Sequence, residues 1–195
     1  MRITAGKYKS RIIYAPKGIR PTEEILRKAF FDILGDIEGL SFLEFFAGSG
    51  AVGLEAISRG AKDLSLVEYD PDCLAVIRKN IDSLKGSACS IYPQEAEHAL
   101  RLLYASGQRF DIIFMDPPYY KGENPRLNGM QGGSLAKKIL QSLSQYDILK
   151  HRGLIAIQHF KKDVLPKTEG NIHLIKQARY SDSLLSLYRK KEDEQ

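Results

Sequence analysis

Short, nearly unbroken apolar runs alternate along this chain with longer stretches in which apolar residues recur every three or four positions. The runs cover residues 41–46, 64–69, 89–92, 110–115 and 153–160. Their length and branched or aromatic content predict strands, and the run at 110–115 reads as one buried on both faces in the middle of a parallel sheet. The helical spacing appears in Ile25, Leu26, Ala29, Phe30, Ile33 and Leu34, opened by Thr22 and ended by Gly35. It returns from Ala51 to about Ser58, from Pro71 to Leu84, from Glu95 through Leu103, and over residues 134–149. Strand and helix in alternation predict an α/β fold. Runs at 172–178 and 183–189 are separated by a polar turn and predict an antiparallel pair. Residues 1–20 are β-branched pieces broken by Gly6, Pro16 and Gly18, which predicts a small hairpin. Residues 120–133, polar and rich in Gly, predict a long loop, and residues 192–195 a frayed tail.

Charge adds a division that hydrophobic pattern does not show. Residues 1–28 carry eight Lys and Arg against two Glu, a net of +6, so the rest of a chain of net charge +5 sums to −1. A basic arm of residues 1–20 on a near-neutral domain of residues 21–190 suggests a polyanion partner, most simply nucleic acid; a solvated arm without a partner is the alternative. Arg2, Lys7, Lys9, Arg11, Arg20 and Thr22 are the candidate contacts. No apolar run approaches a membrane span, no secretory leader opens the chain, and Cys73 and Cys89 are too few for a disulfide framework. A cytoplasmic, membrane-free setting is expected.

The candidate chemistry sits at the end of the run at 110–115, where Asp116-Pro117-Pro118-Tyr119 follows. In open α/β sheets ligands bind at the carboxyl ends of the strands. An ionised Asp116 only accepts hydrogen bonds. Pro118 has no N–H, which leaves the carbonyl of Pro117 as a second acceptor. Two convergent acceptors suit a planar NH2 group, and the ring of Tyr119 offers a surface on which a base can stack. Together they would grip the exocyclic amine of a nucleobase and turn its lone pair toward an electrophile. A strand followed by a Pro-rich turn, with Asp116 capping and Tyr119 packing, is the plainer reading.

A second candidate lies earlier. The strand at 41–46 runs through Ala47-Gly48-Ser49-Gly50 into a helix, a backbone arrangement that lets a ligand approach main-chain N–H groups. Gly48, Gly50 and Gly53 also match G-x-G-x-x-G, a weak signal whose familiar owner is a dinucleotide fold. Glu68, twenty residues after Gly48 and followed by Tyr69, stands where an acid accepts from ribose hydroxyls; the following Asp70-Pro71 can equally do no more than start a helix. Glu95, beside Ala96, can accept from an adenine amino group or act as an ordinary first-turn acid. The four histidines and two cysteines show no metal-ligand spacing, so no metal is expected.

Phe46-Ala-Gly-Ser-Gly50, an acid after the second strand and Asp116-Pro-Pro-Tyr119 after the fourth resemble the S-adenosylmethionine-dependent amino-methyltransferases. Met1-Arg-Ile-Thr with Gly6-Lys-Tyr-Lys9, Arg20-Pro-Thr22, Phe30-Phe-Asp-Ile-Leu34 and Tyr180-Ser-Asp-Ser183 narrow this to the bacterial 16S ribosomal RNA guanine-N2 methyltransferase family. The resemblance covers nearly the whole chain. Three departures stand out: Glu44 where the family usually has Asp, Glu24-Ile25 for a usual Asp-Arg pair, and Ser181 for a usual Gly.

The resemblance implies a Rossmann-like, seven-stranded class I methyltransferase sheet with its last strand antiparallel, plus the N-terminal hairpin extension. It implies S-adenosyl-L-methionine over Ala47 to Gly50, with Glu44, Ser49, Glu68, Tyr69, Glu95, Ala96 and Asp116 around it and Asp116, Pro117 and Tyr119 at the amine. The expected partner is 16S rRNA, in the small ribosomal subunit or an assembly intermediate, and the expected state a monomer. DNA adenine-N6 or cytosine-N4 methylation, and an RNA-binding assembly factor without catalysis, remain as alternatives. A nicotinamide oxidoreductase would leave Asp116-Pro-Pro-Tyr119 without a role.

Overall fold

The computed structural model describes residues 1–16, 24–84, 88–118 and 134–191. Five parallel strands form its centre: β1 Ser41–Phe45, β2 Asp63–Val67, β3 Cys89–Tyr92, β4 Phe110–Met115 and β5 Leu149–Phe160. Then follow β6 Thr168–Glu169, β7 Ile172–Tyr180 and β8 Ser183–Lys190. The strand order is β3-β2-β1-β4-β5-β8-β7-β6, with β8 antiparallel to both β5 and β7. The sheet thus has eight strands where seven were expected. The extra one is the two-residue edge strand β6, paired antiparallel to β7 and too short to leave a periodic signal.

Helices α1 Glu24–Leu34, α2 Ala51–Ser58, α3 Pro71–Ser83, α4 Ala96–Ala105 and α5 Leu135–Gln145 cover the two faces. Phe30, Phe31, Val52, Leu54 and Ile77 of α1 to α3 pack with Phe42, Leu66, Phe114 and Ala156 on one face. Ala99, Leu100, Leu103, Ile139, Leu140 and Leu143 of α4 and α5 pack with Leu43, Phe45, Met115 and Ile157 on the other. The alternation of side chains along each strand divides these two cores. The chain moves outward from β1 through β2 to β3, then returns to β4 on the other side of β1. Open sheets take their ligands at such a reversal, which here falls between the carboxyl ends of β1 and β4.

The end of α5 differs from its expectation. The helix stops at Gln145, and Leu149, expected as its last residue, instead opens β5 and pairs with Phe110. Ile148 and Leu149 are buried, and an apolar pair after Leu143 satisfies helical spacing and strand alike. A register shift lies between the pairs at Phe110 and Ile112, and Arg152 opposite it has φ 63.

Among the described residues the N-terminal segment folds back on itself without forming a named strand. A single antiparallel bridge joins Arg2 to Ile12 in place of a strand ladder. The segment is held on the domain instead. Ile3 and Ile13 are buried in the same core as Phe30 and Phe42. Gly6 passes so close to α2 that a Cβ there would lie 1.7 Å from the Ser58 carbonyl oxygen, and its φ is +79. No other residue fits that approach. Among the described residues no helix is long and apolar enough to cross a membrane.

Candidate active site

The last paired row at the carboxyl edge runs Tyr92, Val67, Phe45, Met115, Ile157 across five strands. Immediately past the ends of β2, β1 and β4 come Glu68, Phe46 and Asp116, and Gln158 follows Ile157 within β5. Residues far apart in sequence therefore meet at one edge.

The turn after β1 is built for close approach. Phe46, Gly48 and Gly50 all have positive φ, at 57, 55 and 73, and Gly50 donates to the Ala47 carbonyl at 2.7 Å. A Cβ placed on Gly48 meets no atom within 4 Å, so the space beside the turn is open. Ala47, Ser49 and Gly50 are buried beneath it. Gly50 is the N-cap of α2 and has no side chain to satisfy the first N–H groups. Glu44 on β1 does so instead: its Oε2 accepts from Gly53 N at 2.8 Å. A Cβ at Gly53 would stand 2.5 Å from Leu64 Cδ1 and 2.8 Å from that oxygen. Gly53, the third glycine of the spacing, is thus required for room and not for φ.

Glu68 locks the same turn from β2. Its Oε2 accepts from Gly48 N at 2.8 Å, and its Oε1 from Tyr69 N at 2.8 Å and Asp70 N at 3.0 Å. Asp70 caps α3, accepting from Asp72 N and Cys73 N; these bonds, Cys73 first, lower its pKa. The corner is acid-rich. Burial pushes Glu44 up to about 8 against the Gly53 N–H bond, with Asp116 and Glu68 raising it further. Asp116 is half-buried, Pro117 buried and Pro118 exposed. Tyr69 is exposed. Glu95 is the exposed N-cap of α4, with no side-chain cap hydrogen bond among the described residues, and Ala96 is the first helical residue. Tyr119, Arg20 and Thr22 lie outside the described residues. No group of three or more His, Cys, Asp or Glu is arranged to hold a metal among the described residues.

Arg2, Lys7, Lys9 and Arg11 are all exposed. Arg27, which the charge count placed with them, is 1% exposed: it donates to Arg2 O at 2.8 Å and stands 3.7 Å from Glu55. Its charge serves the fold. Two further buried polar residues escaped the sequence reading. Glu55 on α2 accepts from Thr4 N and Ala5 N. Asn80 on α3 donates to Tyr14 O and Ser49 O and accepts from Tyr14 N, so it ties the N-terminal segment to the Gly-rich turn. Neither carries a motif; the only signal is a polar residue on the apolar side of a helix.

A protein-family model described as conserved hypothetical protein 95 matches residues 1–189. Ribosomal RNA small subunit methyltransferase D of Escherichia coli strain K12 is 28% identical over 193 residues, 97% of this chain and 90% of that protein. The solved structure of a hypothetical protein, TTHA0928, from Thermus thermophilus is 32% identical, covers 96% of this chain and 98% of its own, and superposes with a TM-score of 0.78. A ribosomal protein L11 methylase structure from Lactobacillus delbrueckii subsp. bulgaricus, 14% identical, covers 95% of this chain and 88% of its own at a TM-score of 0.64 and shares the fold.

Proposed function

We propose that this chain, which belongs to the conserved hypothetical protein 95 family, is an S-adenosylmethionine-dependent methyltransferase acting on the N2 amine of a guanine in 16S rRNA. The observation that carries this reading is the meeting of two features on adjacent central strands. The open-flanked Gly-rich turn leaves β1 in the row where Asp116-Pro117 leaves β4. The name of the E. coli relative supports an rRNA substrate.

The residues present fit the cofactor: the Gly48 flank is open, and Glu68 and Asp116, which both act electrostatically on Glu44, suit a cation. When bound, S-adenosylmethionine supplies an electrophilic methyl on a sulfonium. Ala47 to Gly50 and Glu68 hold it, with Glu44 supporting the turn from beneath and Tyr69, Glu95 and Ala96 around the nucleoside. Asp116 and the Pro117 carbonyl accept from the two amine N–H groups, and Tyr119 stacks on the base. Asp116 need not be a strong base, because the proton can leave once the nitrogen is cationic. Positioning and polarisation then supply most of the rate enhancement. The base must be unpaired or flipped to enter. Arg2, Lys7, Lys9, Arg11, Arg20 and Thr22 contact phosphates of the folded RNA, which is read by shape. The protein acts as a cytoplasmic monomer on the small subunit or an assembly intermediate of it.

The test is transfer of labelled methyl from S-adenosylmethionine to small-subunit particles from cells lacking this protein, with duplex DNA in parallel. Label in the RNA is the expected result. Label in DNA alone would move the substrate assignment, and none in either with cofactor bound would favour a non-catalytic assembly factor.

A further inference from the structure

Three buried polar side-chain atoms lack a hydrogen bond among the described residues: Arg27 Nε, His173 Nδ1 and Gln158 Oε1. Arg27 Nε faces Glu55 at 3.7 Å, and His173 is the second residue of β7, away from the candidate site. Gln158 is different. It is 5% exposed and stands at the carboxyl edge of β5. An unpaired buried amide oxygen carries a desolvation cost that a folded protein rarely leaves unanswered.

Its position supplies an answer. Met115 pairs with Ile157, so Asp116, the first residue past β4, follows on from the row next to which Gln158 stands in β5; the axes of the two strands lie about 5 Å apart. Ile112 and Phe114 of β4 share a core face with Leu154 and Ala156 of β5. By alternation Asp116 and Gln158 belong to that same face. The register partner of Gln158 on β8 is Leu185, which offers no side-chain donor.

We infer that Gln158 is a specificity-determining residue: its Oε1 accepts the N1–H of guanine while Asp116 and the Pro117 carbonyl hold the neighbouring amine. The inference rests on the function proposed above. Two acceptors alone take the exocyclic amine of guanine, adenine or cytosine. The ring atom beside that amine separates them. In guanine it is a donor, N1–H; in adenine and cytosine it is an acceptor, N1 or N3. An amide oxygen at this place pairs with the first and repels the other two. Base choice then comes from β5, one strand away from the groups that hold the reacting nitrogen.

The experiment uses small-subunit RNA in which the mapped target guanosine is replaced by 2-aminopurine riboside. That base keeps the 2-amino group and turns N1 into an acceptor. Wild-type kcat/KM is expected to fall about 10- to 100-fold on the analogue. Gln158→Leu is expected to lose a similar factor on guanosine and to separate the two bases by less than about threefold. Gln158→Glu, which can still accept, retains the preference for guanosine. Full discrimination in Gln158→Leu overturns this inference alone. So does loss of the guanosine preference in a folded, cofactor-binding Gln158→Glu, because it would mean that the amide NH2 does the reading. If Gln158→Leu does not fold, Gln158→Met, which keeps the volume and removes the acceptor, is held to the same limit of about threefold. Transfer by the wild type to an adenine or cytosine amine, or to no RNA at all, overturns this inference and the proposed function together.

Discussion

Two buried glutamates anchor two loops in the same manner, and their surroundings are opposite. Glu55 holds the N-terminal segment: it accepts from Thr4 N at 2.8 Å, Ala5 N at 3.1 Å and the Thr4 hydroxyl at 2.6 Å. Arg59 pairs with it at 2.9 Å and Arg27 stands at 3.7 Å, so its charge is cancelled. Glu68 holds the Gly-rich turn through three backbone N–H groups. No ion pair to Glu68 or Glu44 forms among the described residues, and Asp116 adds to the negative field felt by Glu44. An anchor that serves only the fold is neutralised where it stands. Glu68 stands beside the open flank of the Gly-rich turn with no cation opposite it among the described residues, which suits the sulfonium of the proposed cofactor.

The largest effect that would break this contrast is at Glu55. Glu55→Ala strands Arg27 and Arg59 and leaves the Thr4 and Ala5 N–H groups without their acceptor. A loss of about 3–5 kcal/mol in denaturant unfolding is expected; a loss under about 1 kcal/mol would show that the segment does not depend on this anchor. Asp116→Ala is expected to lower methyl transfer at least about 100-fold while cofactor affinity, by calorimetry, stays within a few-fold. Lost cofactor affinity would mean that Asp116 belongs to the turn and not to the amine.

Glu44 gives a pH-dependent handle of intermediate size. Its ordinary pKa of 4.5 is raised to about 8 in the fold, mainly by burial. Between those values the native state keeps a proton that the unfolded chain has released, so stability falls as pH rises through that window. Glu44→Gln should flatten the fall and stabilise the protein at pH 8.5 by on the order of 2 kcal/mol. Equal melting profiles for the two proteins from pH 5 to 8.5 would count against a protonated Glu44. The smallest effect per residue is at the arm. Neutralising Arg2, Lys7, Lys9 and Arg11 should lower the slope of log affinity against log salt by roughly 0.7–0.9 for each phosphate no longer neutralised. An unchanged slope would remove these four from the RNA interface.

Where local pattern and tertiary position agree, the sequence was readable. The run at 110–115 is β4 to the residue, because a doubly buried central strand is apolar throughout. The Gly-rich turn was legible from its spacing; Gly53, the third glycine of that spacing, lies inside α2 and is needed for room. Glu55, Asn80 and Gln158 were not legible. A polar residue in a helix normally faces water, and nothing local tells that Asn80 meets Tyr14, 66 positions away. Glu44 stands where the family usually has an aspartate, and nothing in the sequence shows that its carboxyl satisfies a helix whose own N-cap is glycine. Arg27 was counted as arm charge because a buried arginine looks like any other until its acid is found. Ile25, read into the apolar face of α1, is 74% exposed, since the two-sided pattern at Ile25-Leu26 left the helix phase open.

Nucleoside mass analysis of small-subunit RNA methylated by the purified protein, with Asp116→Ala in parallel, decides whether Asp116 presents a guanine amine for transfer. N2-methylguanosine at one site is expected with the wild-type protein and none with the variant. Methyl found on adenine N6 or cytosine N4, or equal yield from both proteins, would contradict that role.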